Sequence, residues 1–114
     1  MKCDIVIAVW NKKDLTRQCI ESIARNTRYP YRLIIIDNAS DKPTQQYLQS
    51  LRQDGRFQVL LIRNEENLGN TKAVNQGLKA STSEFVCNLD NDTLVTKGWL
   101  EEMVCIANFD KSIG

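Results

Sequence analysis

The chain has 114 residues, 42% hydrophobic and 25% charged, a composition suited to one soluble globular domain that can bury a core. Fifteen Lys and Arg against fourteen Asp and Glu leave a net charge of +1 with no block of one sign, which argues against a nucleic-acid or anionic-membrane surface. With no histidine, the commonest general base, the Ser-His and Cys-His pairs and the usual catalytic zinc ligands are excluded, leaving carboxylate and metal chemistry.

Ile5-Val6-Ile7-Ala8-Val9-Trp10 is continuously apolar and rich in β-branched residues, as in a strand buried on both faces of a parallel sheet. It is the longest apolar run and too short to span a bilayer, and Asp4 interrupts a signal-peptide reading. After Asn11, the residues Leu15, Cys19, Ile20, Ile23 and Ala24 recur at helical spacing, with Asp14 as the expected N-cap and Tyr29-Pro30 ending the helix. Leu33-Ile34-Ile35-Ile36 is a second buried strand, closing on Asp37-Asn38. Pro43 stands at the first turn of a second helix carrying Tyr47, Leu48 and Leu51, which Gly55 is expected to end. A third strand over 57–62 leads through Arg63-Asn64-Glu65-Glu66-Asn67-Leu68-Gly69 into a helix bearing Ala73, Val74, Gly77, Leu78 and Ala80. A fourth strand over 85–89 and a last helix over about 98–108 complete the pattern. Cys3, Cys19, Cys87 and Cys105 form no C-x-x-C pair and mostly fall at core positions, so reduced thiols and a cytoplasmic location are expected.

Alternating strands and helices predict an α/β fold, a mostly parallel sheet with helices on both faces. Ligands of such sheets bind outside the carboxyl ends of the strands. Here the strands end at Asn11, Asp37, Asn64 and Asp90, so four segments deliver Asn or Asp to one edge. Each alone is an ordinary turn former, but their convergence points to a binding crevice. The fourth strand runs into Asp90-Asn91-Asp92, two carboxylates one residue apart, which beyond a strand end can aim at one point. Two hard anionic oxygens there suit Mg²⁺ or Mn²⁺, with positions left for a phosphate-bearing ligand.

These residues together resemble the N-terminal, nucleotide-binding portion of the family 2 glycosyltransferases, which have the Rossmann-like A-type glycosyltransferase fold. The resemblance lies in the opening strand closing on Trp10-Asn11, the turn Asp37-Asn38-Ala39-Ser40, the D-x-D segment Asp90-Asn91-Asp92, and Asn67-x-Gly69-x-x-x-Ala73-x-Asn75-x-Gly77, which matches the family stretch N-x-G-x-x-x-A-x-N-x-G. It covers nearly the whole chain. It implies that Ala8, Val9, Trp10 and Asn11 line a base pocket, that Asp37 accepts hydrogen bonds from the base or ribose, and that Asn67 and Gly69 approach the ligand. Lys72 could face phosphate, but as a residue it reads as a solvated helix position. Asn75 reads as satisfying a neighbouring backbone group. Asp92 would hold the metal directly, with Asp90 oriented to sugar or ribose or reaching the metal through water, and Asn91 between them.

The implied activity is metal-assisted, inverting transfer from a nucleoside-diphosphate sugar, UDP-linked by default, to a glycan or lipid-linked acceptor hydroxyl, as in cell-surface polysaccharide synthesis. The implied setting is the cytoplasm or the inner face of the membrane. The family's general base lies well downstream of the D-x-D segment, and Glu101, Glu102 and Asp110 are poor candidates for it. The catalytic base is therefore expected beyond Gly114, and residues 1–114 are expected to be the nucleotide-sugar-binding part of a larger domain, inactive alone. Two alternatives stay open. The stretch over 85–94 is similar to the D-x-D-x-T motif of haloacid-dehalogenase phosphatases, although Thr93 comes one residue early. A non-catalytic nucleotide-binding module is the other.

Overall fold

A computed structural model of the chain describes residues 3–100. The elements run β1 (Cys3–Val9), α1 (Lys13–Asn26), β2 (Tyr31–Asn38), α2 (Lys42–Leu51), β3 (Val59–Asn64), α3 (Asn70–Ala80) and β4 (Phe85–Asp90). All strand pairs are parallel and their order is β3-β2-β1-β4. The chain lays β2 and β3 to one side of β1, then crosses to set β4 on the other. The order therefore reverses between β1 and β4, and a crevice opens at the carboxyl end of that reversal.

The unbroken apolar runs follow from burial on both faces. Ile5, Ile7 and Val9 of β1 pack with Cys19, Ile20 and Ile23 of α1 and Leu48 and Leu51 of α2, while Val6, Ile34 and Ile36 pack on the other face with Ala73 of α3. Helix α3 lies close to β1: Gly77 is buried, and a Cβ there would collide with Val6 Cγ1.

Three boundaries differ from expectation. Asp14 is not the N-cap of α1; Lys12 holds that place with φ 62, after Asn11 with φ 57, and Asp14 lies in the first turn. Leu15 is exposed, and Thr16 and Ser22 are buried in its stead. Helix α2 carries Pro43 in its first turn as expected, with Asp41 as N-cap accepting the Thr44 amide, but it ends at Leu51, ahead of Gly55. Strand β3 begins at Val59 because the Phe57 amide is already spent on the Asp54 carbonyl in a turn. Most of the last expected helix lies beyond Leu100, outside the described residues, as do Cys105, Glu101, Glu102 and Asp110. Gly114, the residue beyond which the catalytic base is expected, lies outside them too. Cys3, Cys19 and Cys87 are free thiols.

A buried carboxylate ties the amino edge of the sheet. Asp4 has no solvent exposure and takes both Nε (3.0 Å) and Nη2 (3.1 Å) of Arg32, with Ser81 Oγ at 2.7 Å and the Thr82 amide at 3.2 Å. Burial alone would raise its pKa, but hydrogen bonds from Arg32, Ser81 and Ser83 outweigh this and hold it at about 2. A carboxyl lowered on folding contributes stability above its unfolded value near 4 and loses it as pH falls towards 2, a contribution of about 2 kcal/mol. Chemical denaturation of Asp4→Asn should show lower stability at pH 7 and a flatter decline between pH 4 and 2 than the parent; an unchanged pH dependence would remove Asp4 from this role.

Candidate functional site

The crevice at the strand-order reversal has a volume of about 260 Å³. Ala8, Val9 and Trp10 form its floor and one end, Asn91 stands on the β4 side, and Asn38, Asn67, Gly69 and Asn70 form the opposite wall. Trp10 is 53% exposed, a large aromatic face left in solvent at the end of the central strand. A larger hollow of about 500 Å³ lies over the outer face of α1, among Asp14, Arg17, Glu21 and Leu94. It is a dish over one charged helix with no strand end beside it, so the smaller crevice is the candidate site.

The α3 wall is held by a chain of carboxamides. Asn38, 3% exposed, accepts from the Leu68 amide (2.9 Å) and from Asn64 Nδ2 (3.2 Å), and donates to Asn67 Oδ1 (2.8 Å) and the Gly69 carbonyl (3.3 Å). Asn64 and Gln76 exchange two further hydrogen bonds, at 2.7 and 2.9 Å. One buried side chain thus joins β2, β3 and the loop, and Asn64 carries the chain on to Gln76 of α3. Gly69 has φ +87, a conformation that the loop needs to enter α3 and that side chains rarely adopt.

The β1 and β2 loops interlock beside it. The Asn11 amide donates to Ser40 Oγ (2.9 Å), Asn11 Oδ1 accepts the Asp41 amide (2.7 Å), and Ser40 donates its amide to Asp37 Oδ1 (2.9 Å). Asp37 Oδ2 pairs with Arg63 Nη1 at 2.7 Å, and Asp37 is only 1% exposed.

The carboxylate segment is fastened to one face of α1 by polar side chains. Asn91 Nδ2 donates to Thr16 Oγ1 (3.1 Å), the Cys19 thiol to the Asp90 carbonyl (3.7 Å), and Asn26 Nδ2 to the Val95 carbonyl (3.0 Å), while Ser22 Oγ accepts the Val95 amide (3.1 Å). Burial pushes the Cys19 thiol up to about 11; the Thr93 amide opposes the rise and the Asp92 and Asp90 charges add to it. It stays protonated, as a donor must. Asp90 and Asp92 are themselves exposed, Asp90 in register with Ala8 of the crevice floor.

Of the expected site residues, Ala8, Val9, Trp10, Asn67, Gly69 and Asn91 come together in the crevice. Asp90 and Asp92 flank it. Asn11 and Asp37 are bonded into the loop framework instead, and Lys72 and Asn75 are exposed on α3. Asn75 makes no hydrogen bond to a backbone group among the described residues; its neighbour Gln76 makes the structural tie. The catalytic base expected beyond Gly114 has no counterpart to place here, since the described residues close at Leu100. Asn38, Asn70, Gln76 and Arg63 were not singled out from sequence. Asn38 carried a usable signal, since it follows the last strand residue expected to face a ligand and alternation sends it to the other face.

Comparison with known proteins agrees with this geometry. The fold is the A-type glycosyltransferase fold: S. aureus TarS 1–349, solved in complex with UDP-GlcNAc, superposes with a TM-score of 0.83 at 22% identity over 95% of this chain and 31% of that one. A mannosyltransferase of Pyrobaculum calidifontis, solved with GDP-Man and Mn²⁺, gives 0.81 at 21% identity over 90% and 31%. Residues 4–113 match the model of Glycosyl transferase family 2, and the chain belongs to that family. Among curated relatives, the uncharacterized glycosyltransferase YwdF of Bacillus subtilis is 30% identical over 90% of this chain and 37% of its own length. The poly-β-1,6-N-acetyl-D-glucosamine synthase of Staphylococcus aureus is 26% identical over 79% and 21%. The chain thus spans about a third or less of these relatives. The family match overturns the dehalogenase alternative.

Asn38→Ala should cost about 2 kcal/mol, because it strands the Leu68 amide and breaks the carboxamide chain. Hydrogen exchange should report the loss first over 64–70. Uniform loss across the sheet would mean that Asn38 acts only on global stability.

Proposed function

We propose that the chain is the donor-binding part of a glycosyltransferase that moves a sugar from a nucleoside diphosphate, UDP by preference, to an acceptor hydroxyl in cell-surface glycan synthesis, with inversion. The observation that carries the reading is the joining, at one strand-order reversal, of an exposed tryptophan, a carboxamide-held glycine turn and a carboxylate pair. The neighbours' ligands, UDP-GlcNAc, UDP and GDP-Man with Mn²⁺, support it, and so does the poly-N-acetylglucosamine synthase relative. No helix among the described residues is long and apolar enough to cross a membrane, and we place the whole protein in the cytoplasm or at the inner membrane face.

In this reading Trp10 offers its ring to the nucleobase over the Ala8-Val9 backbone. The first turn of α3 carries no side-chain cap and no acidic residue, so its amides, beginning after Gly69, are suited to diphosphate oxygens. Lys72, exposed one turn further, adds positive charge at that end. Among the described residues no three His, Cys, Asp or Glu side chains gather to hold a metal, so within them the two carboxylates are the donors on offer. That set fits Mg²⁺ or Mn²⁺ completed by diphosphate and water, with Asp92 as direct ligand and Asp90 towards the sugar. Such an ion, when bound, offsets the negative charge that builds on the departing diphosphate. The loop carrying both carboxylates is pre-set by Thr16 and Cys19 before any ligand arrives. The acceptor walls and the general base are assigned to sequence beyond Gly114, in the remaining two-thirds of the length seen in relatives.

Calorimetric titration of UDP with and without Mn²⁺ tests this. Mn²⁺ should tighten binding by about ten-fold or more, a gain that Asp92→Asn abolishes without loss of fold. A mutant that keeps the gain would move the metal elsewhere. Donor turnover by the 114 residues should be absent over a broad acceptor set; robust transfer would refute the division of labour.

A further inference from the structure

We propose that the outer edge of β3 is a docking surface for a second copy of this chain, the two β3 strands pairing antiparallel about a twofold axis at Leu61 and so joining two sheets into one. The inference goes beyond the nucleotide reading and does not depend on it. Strand β3 pairs with β2 on one side, and no strand covers its other side among the described residues. The Leu33 amide donates to the Gln58 carbonyl, and Leu33 stands opposite Val59. In a parallel ladder this register aims the amides and carbonyls of Leu60 and Ile62 at β2 and turns those of Val59, Leu61 and Arg63 outwards. The outward residues are symmetric about Leu61. A twofold axis there sets Leu61 against its own copy and Val59 against Arg63, closing about six main-chain hydrogen bonds.

The strand lacks the devices that keep sheet edges apart. Residues 59–62 read Val-Leu-Leu-Ile, without proline, glycine or lysine, and the one charged side chain of β3, Arg63, is drawn back onto Asp37 of β2. Both faces beside the edge are apolar and half-buried: Val59 and Leu61 extend the layer of α1 and α2, and Leu60 and Ile62 the layer of α3. Pairing about Leu61 lays Leu60 against Ile62 of the second copy, so both layers continue across the joint. Charge decides between this edge and that of β4. Antiparallel pairing at β3 brings Arg56, 51% exposed even with Glu21 and Asp54 as partners, towards the exposed Glu65 and Glu66 of the copy. The same pairing at β4 would bring Glu84 towards Asp90 and Asp92 of the copy, like charges on a strand whose exposed positions include Asn88.

A joint of one short strand from each copy belongs with the small, transient interfaces, so sedimentation velocity of the chain should pass from monomer to dimer between about 5 and 500 µM. Amide exchange at the two ends of that range reads the parity of the strand. The amides of Val59, Leu61 and Arg63 should slow by about three-fold or more on dimerisation, and those of Leu60 and Ile62, bonded to β2 already, by less. Leu61→Lys, which sets two cations against each other on the axis, should abolish the dimer. Val59→Pro removes an outward amide at the first residue of the strand and leaves the β2 ladder whole; it should weaken the dimer by about ten-fold or more, and serves if the lysine variant does not fold. Val86→Lys, on β4, should leave the dimer unchanged. A chain that stays monomeric across the range overturns the proposal. So does a dimer that a folded Leu61→Lys variant keeps, that Val86→Lys dissolves, or whose Val59, Leu61 and Arg63 amides exchange at the monomer's rate.

Discussion

Helix α3 can lie where it does only because residue 77 has no side chain. A Cβ on Gly77 would enter the space of Val6, so any other residue would lift the helix from the central strand. The height of α3 fixes Gln76, and through two hydrogen bonds it fixes Asn64 at the end of β3. Asn64 in turn meets Asn38, and Asn38 holds the loop through Leu68 and Gly69. The glycine turn at the crevice is thus placed by a steric contact several residues away, carried by packed backbone and carboxamides rather than by the loop itself.

The two edges of the sheet differ in how completely their polar groups are satisfied. At the amino edge, Asp4 is closed in by Arg32, Ser81 and Thr82, and its charge is fully satisfied. At the carboxyl edge, polar groups are only partly used: Trp10, Asp90 and Asp92 face solvent, and Arg63 keeps donors in reserve. A closed network locks the strands together, and an open one leaves groups for a ligand to complete. Helix α1 spans both ends, its Thr16, Cys19, Ser22 and Asn26 fastening the chain that follows β4.

Much of this was legible in the sequence because burial on both faces writes itself as uninterrupted apolar runs, and alternation of strand and helix admits few topologies. The Asn67 and Gly69 pattern and the carboxylate pair located the crevice for the same reason: they are local. What escaped was parity and long-range bonding. Asp37, expected at the base end, is bonded to Ser40 and Arg63 in the folded chain, and Asn38, of the opposite parity along the strand, lines the crevice. The strand-end Asn11 likewise binds its neighbouring loop while Trp10 is presented. Arg63 looked like a loop residue because β3 starts later than its apolar run, and its register with Asp37 exists only once the sheet is assembled. Asp14 was mistaken for a cap because two non-glycine residues with positive φ, Asn11 and Lys12, make the entry to α1.

The central claim is that the ligand is taken at the strand-order reversal and not at the larger hollow on α1. Amide chemical shifts of the labelled chain, followed through a titration with UDP and Mg²⁺, test it most directly. The account predicts that the shifts of Trp10, Asn38, Asn67, Gly69, Asn70 and Asn91 move together with one affinity, while Arg17 and Glu21 stay in place. Shifts centred on Arg17, Glu21 and Leu94, with the Asn38 and Gly69 signals unmoved, would contradict it.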